Sequence, residues 1–119
     1  MPEPRTYQGG CHCGRVRFQA ACDLAQVLNC NCSICSKRGA LWAFVPAPQF
    51  ALLQGEDALT DYQFGKKVIH HLFCSSCGVG SFSQGTAPNG AATYAVNVRC
   101  LDDVEVSALS LTPFDGRSL

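Results

Sequence analysis

The sequence predicts a mostly β domain whose turns are cross-linked through clustered cysteines. Three observations predict it. Short runs of alternating apolar and polar residues recur between glycine-rich breaks. Helical periodicity is weak throughout. Seven of the nine cysteines fall in three tight motifs, Cys11-His12-Cys13, Cys30-Asn31-Cys32-Ser33-Ile34-Cys35 and Cys74-Ser75-Ser76-Cys77.

The elements follow in chain order. Gly14–Ala20 alternates, with Val16, Phe18 and Ala20 on one face and Arg15, Arg17 and Gln19 on the other. Leu41–Val45 is a short apolar strand closed by Pro46 and Pro48. Tyr62–Phe64, the turn Gly65-Lys66-Lys67 and Val68–Phe73 read as a hairpin. Ala92–Val98 is the clearest strand, with Tyr94, Val96 and Val98 opposite Thr93, Ala95, Asn97 and Arg99. Asp102-Asp103 opens a short turn toward Leu109. The tail Thr112–Leu119 reads as irregular. Breaks at Gly9-Gly10, Gly78–Gly80, Gly85 and Asn89-Gly90 separate the runs.

A chain of 119 residues suggests one domain, 1–119, with a modest core. Nine basic and nine acidic residues cancel, so nothing draws the chain toward nucleic acid. No apolar run reaches the roughly 18 residues of a membrane span, and MPEPRTYQGG lacks the apolar stretch of a secretory signal. The expectation is a cytoplasmic protein with no nucleic-acid or membrane partner. In a reducing compartment, clustered cysteines read as metal ligands rather than disulfides. Cys22 and Cys100 stand alone and read as small apolar filler.

Structural zinc takes four ligands, and catalytic zinc takes three with one open position. Cys11, Cys13, Cys74 and Cys77 read as a closed four-thiolate site, each pair beside glycines that permit positive φ or close approach. Such a site ties positions about 60 residues apart, where closure removes much unfolded-chain entropy. A zinc ribbon pairing Cys32/Cys35 with Cys74/Cys77 is the rival. Its usual gap is about 15–20 residues, whereas 38 residues intervene here.

Cys30, Cys32 and Cys35 could grip one face of a second zinc and leave a vertex for an exogenous ligand. Lys37 and Arg38 just beyond could offset its charge, or form an ordinary solvated turn. An all-sulfur shell favours binding a thiol over activating water. A redox Cys32-Ser33-Ile34-Cys35 motif is the competing reading, but its usual βαβ setting is missing.

Gly10-Cys11-His12-Cys13-Gly14-Arg15-Val16-Arg17-Phe18, Cys30-Asn31-Cys32-Ser33-Ile34-Cys35-Ser36-Lys37 and Phe73-Cys74-Ser75-Ser76-Cys77-Gly78 resemble the glutathione-dependent formaldehyde-activating enzymes. That superfamily includes the centromere protein V-like domain proteins. The resemblance covers about residues 6–117, with Val96-Asn97-Val98-Arg99 and Phe114-Asp115-Gly116-Arg117. It implies an Mss4-like, zinc-stabilised β-sheet fold and two zinc ions per chain. Cys11, Cys13, Cys74 and Cys77 would hold the structural ion, and Cys30, Cys32 and Cys35 the catalytic one. It also implies a carbon–sulfur lyase joining glutathione and formaldehyde into S-hydroxymethylglutathione. The chain is shorter than the formaldehyde-activating members and looks like the bare domain. The alternative is a non-catalytic zinc module of the same fold; a redox or zinc-carrier protein is a third class.

Other residues read more plainly. Trp42 and Phe44 share a strand face and read as core aromatics, with a pocket wall as the second option. His12 points away from its flanking cysteines. His70 and His71 fall on opposite strand faces, so at most one of them faces a given site. Asn97 and Arg99 read as a solvated face, with carboxylate binding as the alternative.

Overall fold

The computed structural model describes residues 5–64, 69–86 and 89–116. Among these described residues ten strands form in order: β1 Arg5–Gly10, β2 Arg17–Cys22, β3 Val27–Cys30, β4 Trp42–Pro46, β5 Phe50–Gln54, β6 Leu59–Tyr62, β7 His70–Cys74, β8 Phe82–Thr86, β9 Ala92–Asn97 and β10 Leu111–Phe114. One four-residue helix, α1, spans Cys35–Arg38. The mostly β expectation holds.

The strands make two sheets. β1, β2 and β5 form a small one in the order β1-β2-β5, and the other seven run β10-β3-β4-β9-β8-β7-β6. Every pairing is antiparallel except β10 with β3. The core lies between the sheets. Phe18 and Phe50 of the small sheet stack at 5.6 Å between centroids, and Phe50 stacks on Tyr94 of the large sheet at 4.1 Å. Phe82 closes the cluster 4.9 Å from Phe50. Such offset aromatic contacts add to area burial.

The two-residue period of a strand gives the large sheet two different faces. Ala43 and Val45 of β4, Val96 of β9 and Phe82 of β8 face the core. Trp42 and Phe44, Ala95, Ser83 and His71 alternate with them and take the other face. This corrects the reading of Phe44 as a core aromatic. Trp42 is buried, but in a small second cluster with Cys35 and Ala40, and Phe44 is 57% exposed.

Several sequence expectations need other corrections. The tail forms a strand: Leu111–Phe114 pairs in parallel with Val27–Cys30. Pro113 lacks an N–H, which an edge strand with one neighbour tolerates. The run predicted at Gly14–Ala20 becomes Arg17–Cys22, because Cys11 to Val16 form the connection to β1. The expected hairpin exists as β6 with β7. Its first arm starts earlier, at Leu59, and Phe64 lies past it; the turn Gly65-Lys66-Lys67, Val68 and Arg117 lie outside the described residues. Val98 leaves β9 to open a 3₁₀ turn, Val98–Cys100. Another 3₁₀ turn, at Val106–Ala108, follows the expected reversal at Asp102-Asp103.

Asn97 is the largest departure. It is buried, not solvated. Its Oδ1 accepts from the backbone N–H of Leu41 at 3.3 Å and of Arg99 at 3.1 Å, and its Nδ2 donates to the Gly80 carbonyl at 3.1 Å. The side chain is therefore a strut joining the ends of β4, β8 and β9. The Arg99 Nε donates to the Gly39 carbonyl at 3.1 Å and holds the end of α1. Asn97 is therefore not left to bind a carboxylate, whereas Arg99 is exposed, as expected of a solvated face.

Candidate metal centres

The first centre forms where two strand connections meet. Cys11 and Cys13 sit in the β1–β2 connection, and Cys74 and Cys77 in the β7–β8 connection. Both connections close in the same way. The Cys11 N–H donates to the Val16 carbonyl and the Cys74 N–H to the Val79 carbonyl, each at 3.1 Å. Gly14 and Gly78 take positive φ of 85° and 80°, as the sequence required.

The four sulfurs lie within 4.8 Å of one another. Cys11 to Cys13 and Cys13 to Cys74 are both 3.6 Å. A Zn–S bond of about 2.3 Å places tetrahedral sulfurs about 3.8 Å apart, so these contacts fit one ion. Backbone N–H groups support the sulfurs, from Val16 to Cys11 at 3.3 Å and from Ser76 to Cys74 at 3.4 Å. The N–H groups of Cys13 and Val79 bring the Cys77 thiol down to about 6. The Arg15 backbone lowers Cys13, but desolvation and the three neighbouring sulfurs together outweigh it and leave that thiol pushed up to about 11. A cation among them relieves this crowding of sulfur charge.

The second centre is Cys30, Cys32 and Cys35, whose sulfurs also lie within 4.8 Å of one another. Cys30 ends β3, and Cys35 begins α1. The turn between them is closed by the Ser36 N–H to the Cys32 carbonyl and the Arg38 N–H to the Ile34 carbonyl, both 2.9 Å. The Cys32 N–H donates to Cys30 Sγ at 3.5 Å. The Trp42 indole N–H donates to Cys35 Sγ at 3.2 Å. Burial pushes the Cys35 thiol up to about 12, the Trp42 bond opposing and the Cys32 and Cys30 sulfurs adding. The Arg38 guanidinium lies over the Phe73 ring, 5.5 Å from the centroid.

The tail strand completes this centre, and sequence reasoning missed it. The Asn31 N–H donates to the Phe114 carbonyl at 3.1 Å, and Asn31 Nδ2 donates to Asp115 Oδ1 at 3.0 Å. Gly116 then passes so close that a Cβ there would stand 2.6 Å from Cys30 Sγ. Its lack of a side chain is a requirement of the cluster.

The two centres differ in their surroundings. Cys30, Cys32 and Cys35 line a cavity of about 550 Å³ on the outer face of the large sheet. Trp42, Phe44, Ala95 and Phe114 supply apolar wall, and His71 and Ser83 supply polar atoms. His71 faces this cavity. His70 on the neighbouring position pairs with Asp61, Nδ1 to Oδ2 at 2.6 Å. His12 is exposed beside the first centre.

All nine cysteines are free thiols. Cys22 is buried in the core, and burial, with the nearby Cys11 and Cys77 sulfurs adding, pushes the Cys100 thiol up to about 11. Among the described residues no helix is long and apolar enough to cross a membrane.

The sequence model of the glutathione-dependent formaldehyde-activating enzyme matches residues 6–113. The chain belongs to that family. A solved relative agrees: the crystal structure of a Rhodobacter sphaeroides protein is 34% identical, with a TM-score of 0.77. The alignment covers 89% of this chain and 97% of that one. Membership in the formaldehyde-activating family is thus carried by both sequence and fold. The two cysteine clusters are compatible with metal binding, zinc included.

Proposed function

We propose that this protein is a zinc-dependent carbon–sulfur lyase acting on a thiol–aldehyde adduct, with residues 1–119 working as one domain. The family's description points to glutathione and formaldehyde, and so to S-hydroxymethylglutathione. The observation that carries the reading is the asymmetry of the two clusters. One offers a full tetrahedral set of sulfurs; the other offers three, in the wall of a cavity.

In this reading Cys11, Cys13, Cys74 and Cys77 hold a structural zinc, which fastens the β1–β2 connection to the β7–β8 connection. Such a staple contributes folding free energy directly, on the order of 10 kcal/mol in zinc-finger peptides. Cys30, Cys32 and Cys35 hold a second zinc, making two per chain. When bound there, zinc supplies positive charge that stabilises a substrate thiolate at its open vertex. Trp42 orients the Cys35 sulfur, and the apolar walls exclude water from the adduct.

The chemistry balances without an oxidant. In synthesis the thiolate sulfur forms a bond to the aldehyde carbon, the C=O π pair moves to oxygen, and oxygen takes one proton. In cleavage the hydroxyl proton leaves, the C=O bond re-forms, and the C–S pair departs with sulfur.

The test is S-hydroxymethylglutathione formation and cleavage, read above the spontaneous rate. Wild-type protein and Cys100→Ser should accelerate it, whereas Cys32→Ser should not. Equal rates in all three would leave a non-catalytic zinc domain.

A further inference from the structure

The cavity beside the three-cysteine cluster carries more information than the family name. Its described lining includes no charged side chain. Glutathione bears two carboxylates and an ammonium, and burying such charges without partners is costly. Formaldehyde is one carbon, far smaller than about 550 Å³. The cavity is instead sized for a group of several carbons, within the range of small-molecule sites. Phe44, Ile69 and Phe114 are exposed large apolar side chains in its lining, beside the exposed Thr86.

Gln84, Thr86 and Thr93 add uncharged polar groups to the lining, and His71 and Ser83 lie among the apolar walls. His71 and Ser83 are register partners across β7 and β8, on the cavity face. They are 7% and 5% exposed, and His71 Nδ1 and Ser83 Oγ have no hydrogen-bond partner. Buried polar atoms are normally satisfied, and an unsatisfied one costs about 1–3 kcal/mol. Here two adjacent ones belong to residues that line the same cavity. Phe64 stacks on the imidazole at 5.3 Å and fixes its plane.

We propose that the cavity takes a hemithioacetal bearing an aryl or branched-alkyl group, seated against Trp42 and Phe44, with the adduct oxygen held by His71 Nδ1 and Ser83 Oγ. In cleavage the adduct hydroxyl donates its proton to His71 Nδ1 while the Ser83 hydroxyl donates to the same oxygen; the carbon–sulfur pair leaves with sulfur. Synthesis returns that proton. The apolar group comes from the aldehyde or from the thiol. The proposal rests on the lyase reading, but its binding part is measurable without turnover.

Trp42 is the only tryptophan in the chain, so intrinsic fluorescence reports the cavity directly. The zinc-loaded protein is titrated with toluene, with benzyl alcohol and with glutathione. Both aromatic probes should shift Trp42 emission saturably, at concentrations well below those glutathione needs. Ser83→Ala should weaken benzyl alcohol about threefold to tenfold, one lost hydrogen bond, and leave toluene unchanged. Phe44→Ala, at an exposed position, should weaken both. A loss of packing alone would move the two probes together in Ser83→Ala, and that result overturns the polar anchor. No saturable response to either aromatic probe overturns the whole proposal.

Turnover then assigns the source of the group. Faster cleavage of the benzaldehyde–2-mercaptoethanol adduct places it on the aldehyde. Faster cleavage of the benzyl mercaptan–formaldehyde adduct places it on the thiol. S-hydroxymethylglutathione cleaved faster than both contradicts the inference and upholds the lyase reading. Saturable binding of both probes with no turnover of any adduct does the reverse.

Discussion

The Trp42 indole N–H donates to Cys35 Sγ at 3.2 Å, so one side chain both walls the cavity and orients a candidate metal ligand. Hydrogen bonds from outside the ligand set typically change metal affinity about 10- to 100-fold when removed. Trp42→Phe keeps an aromatic wall and deletes the bond. It should weaken metal binding at the three-cysteine cluster by about that factor, without changing the four-cysteine cluster. Competition with a chromophoric chelator resolves the two affinities.

Gly116 makes a second, sharper test of the same cluster. A Cβ there would meet Cys30 Sγ at 2.6 Å and Cys32 Cβ at 3.1 Å. Both neighbours are short side chains at the ligand positions, so little can give way. Gly116→Ala should lower the metal content by one ion per chain and leave the other ion in place. Metal analysis after gel filtration reads this; an unchanged metal content would show that the tail does not support the cluster.

Asn97 is expected to matter for stability rather than chemistry. Truncating it to alanine leaves buried backbone groups of Leu41 and Gly80 without their side-chain partner. Asn97→Ala should cost on the order of 1–3 kcal/mol, read from urea unfolding of the zinc-loaded protein. A solvated Asn97 would give almost no change.

His71 should make stability depend on pH. Burial, reinforced by the Arg38 and His70 charges and opposed by Asp61, holds its imidazole below the ordinary 6.5. The unfolded chain therefore binds this proton more readily than the folded protein. The stability at stake is fully present above about 6.5 and falls as pH drops toward the lowered folded value. His71→Phe removes the effect while keeping a ring against Phe64. Urea unfolding at about pH 7.5 and about pH 5.5 should show wild type losing more than the variant. Parallel losses would mean that His71 is not the group responsible.

The legible parts of this fold are those where local pattern and local contacts coincide. Tyr94, Val96 and Val98 alternate against Thr93 and Ala95 because β9 is central in its sheet, with a different environment on each face. The cysteine motifs were legible because ligand geometry demands close spacing, and Gly14 and Gly78 marked their turns. Non-local relationships were not legible. Thr112–Leu119 carries Pro113 and no alternation, so nothing local announces a strand; its partner Val27–Cys30 lies about 80 residues earlier. Asn97 looked solvated because its strand face was taken as open, whereas the Leu41 and Gly80 backbones close over it. Trp42 and Phe44 share the face their spacing predicts. Which face is core depends on where the small sheet packs, and periodicity alone does not say.

The account's central claim is that one cluster saturates its metal and the other leaves a vertex open to the cavity. Cobalt(II) in place of zinc tests it most directly, through the absorption bands of thiolate-bound cobalt. With two cobalt ions per chain, an added small thiol should change the spectrum of one ion only, and the change should vanish when Cys30 and Cys32 are replaced by serine. A spectrum indifferent to thiol, or a thiol response that survives that replacement, would contradict the claim.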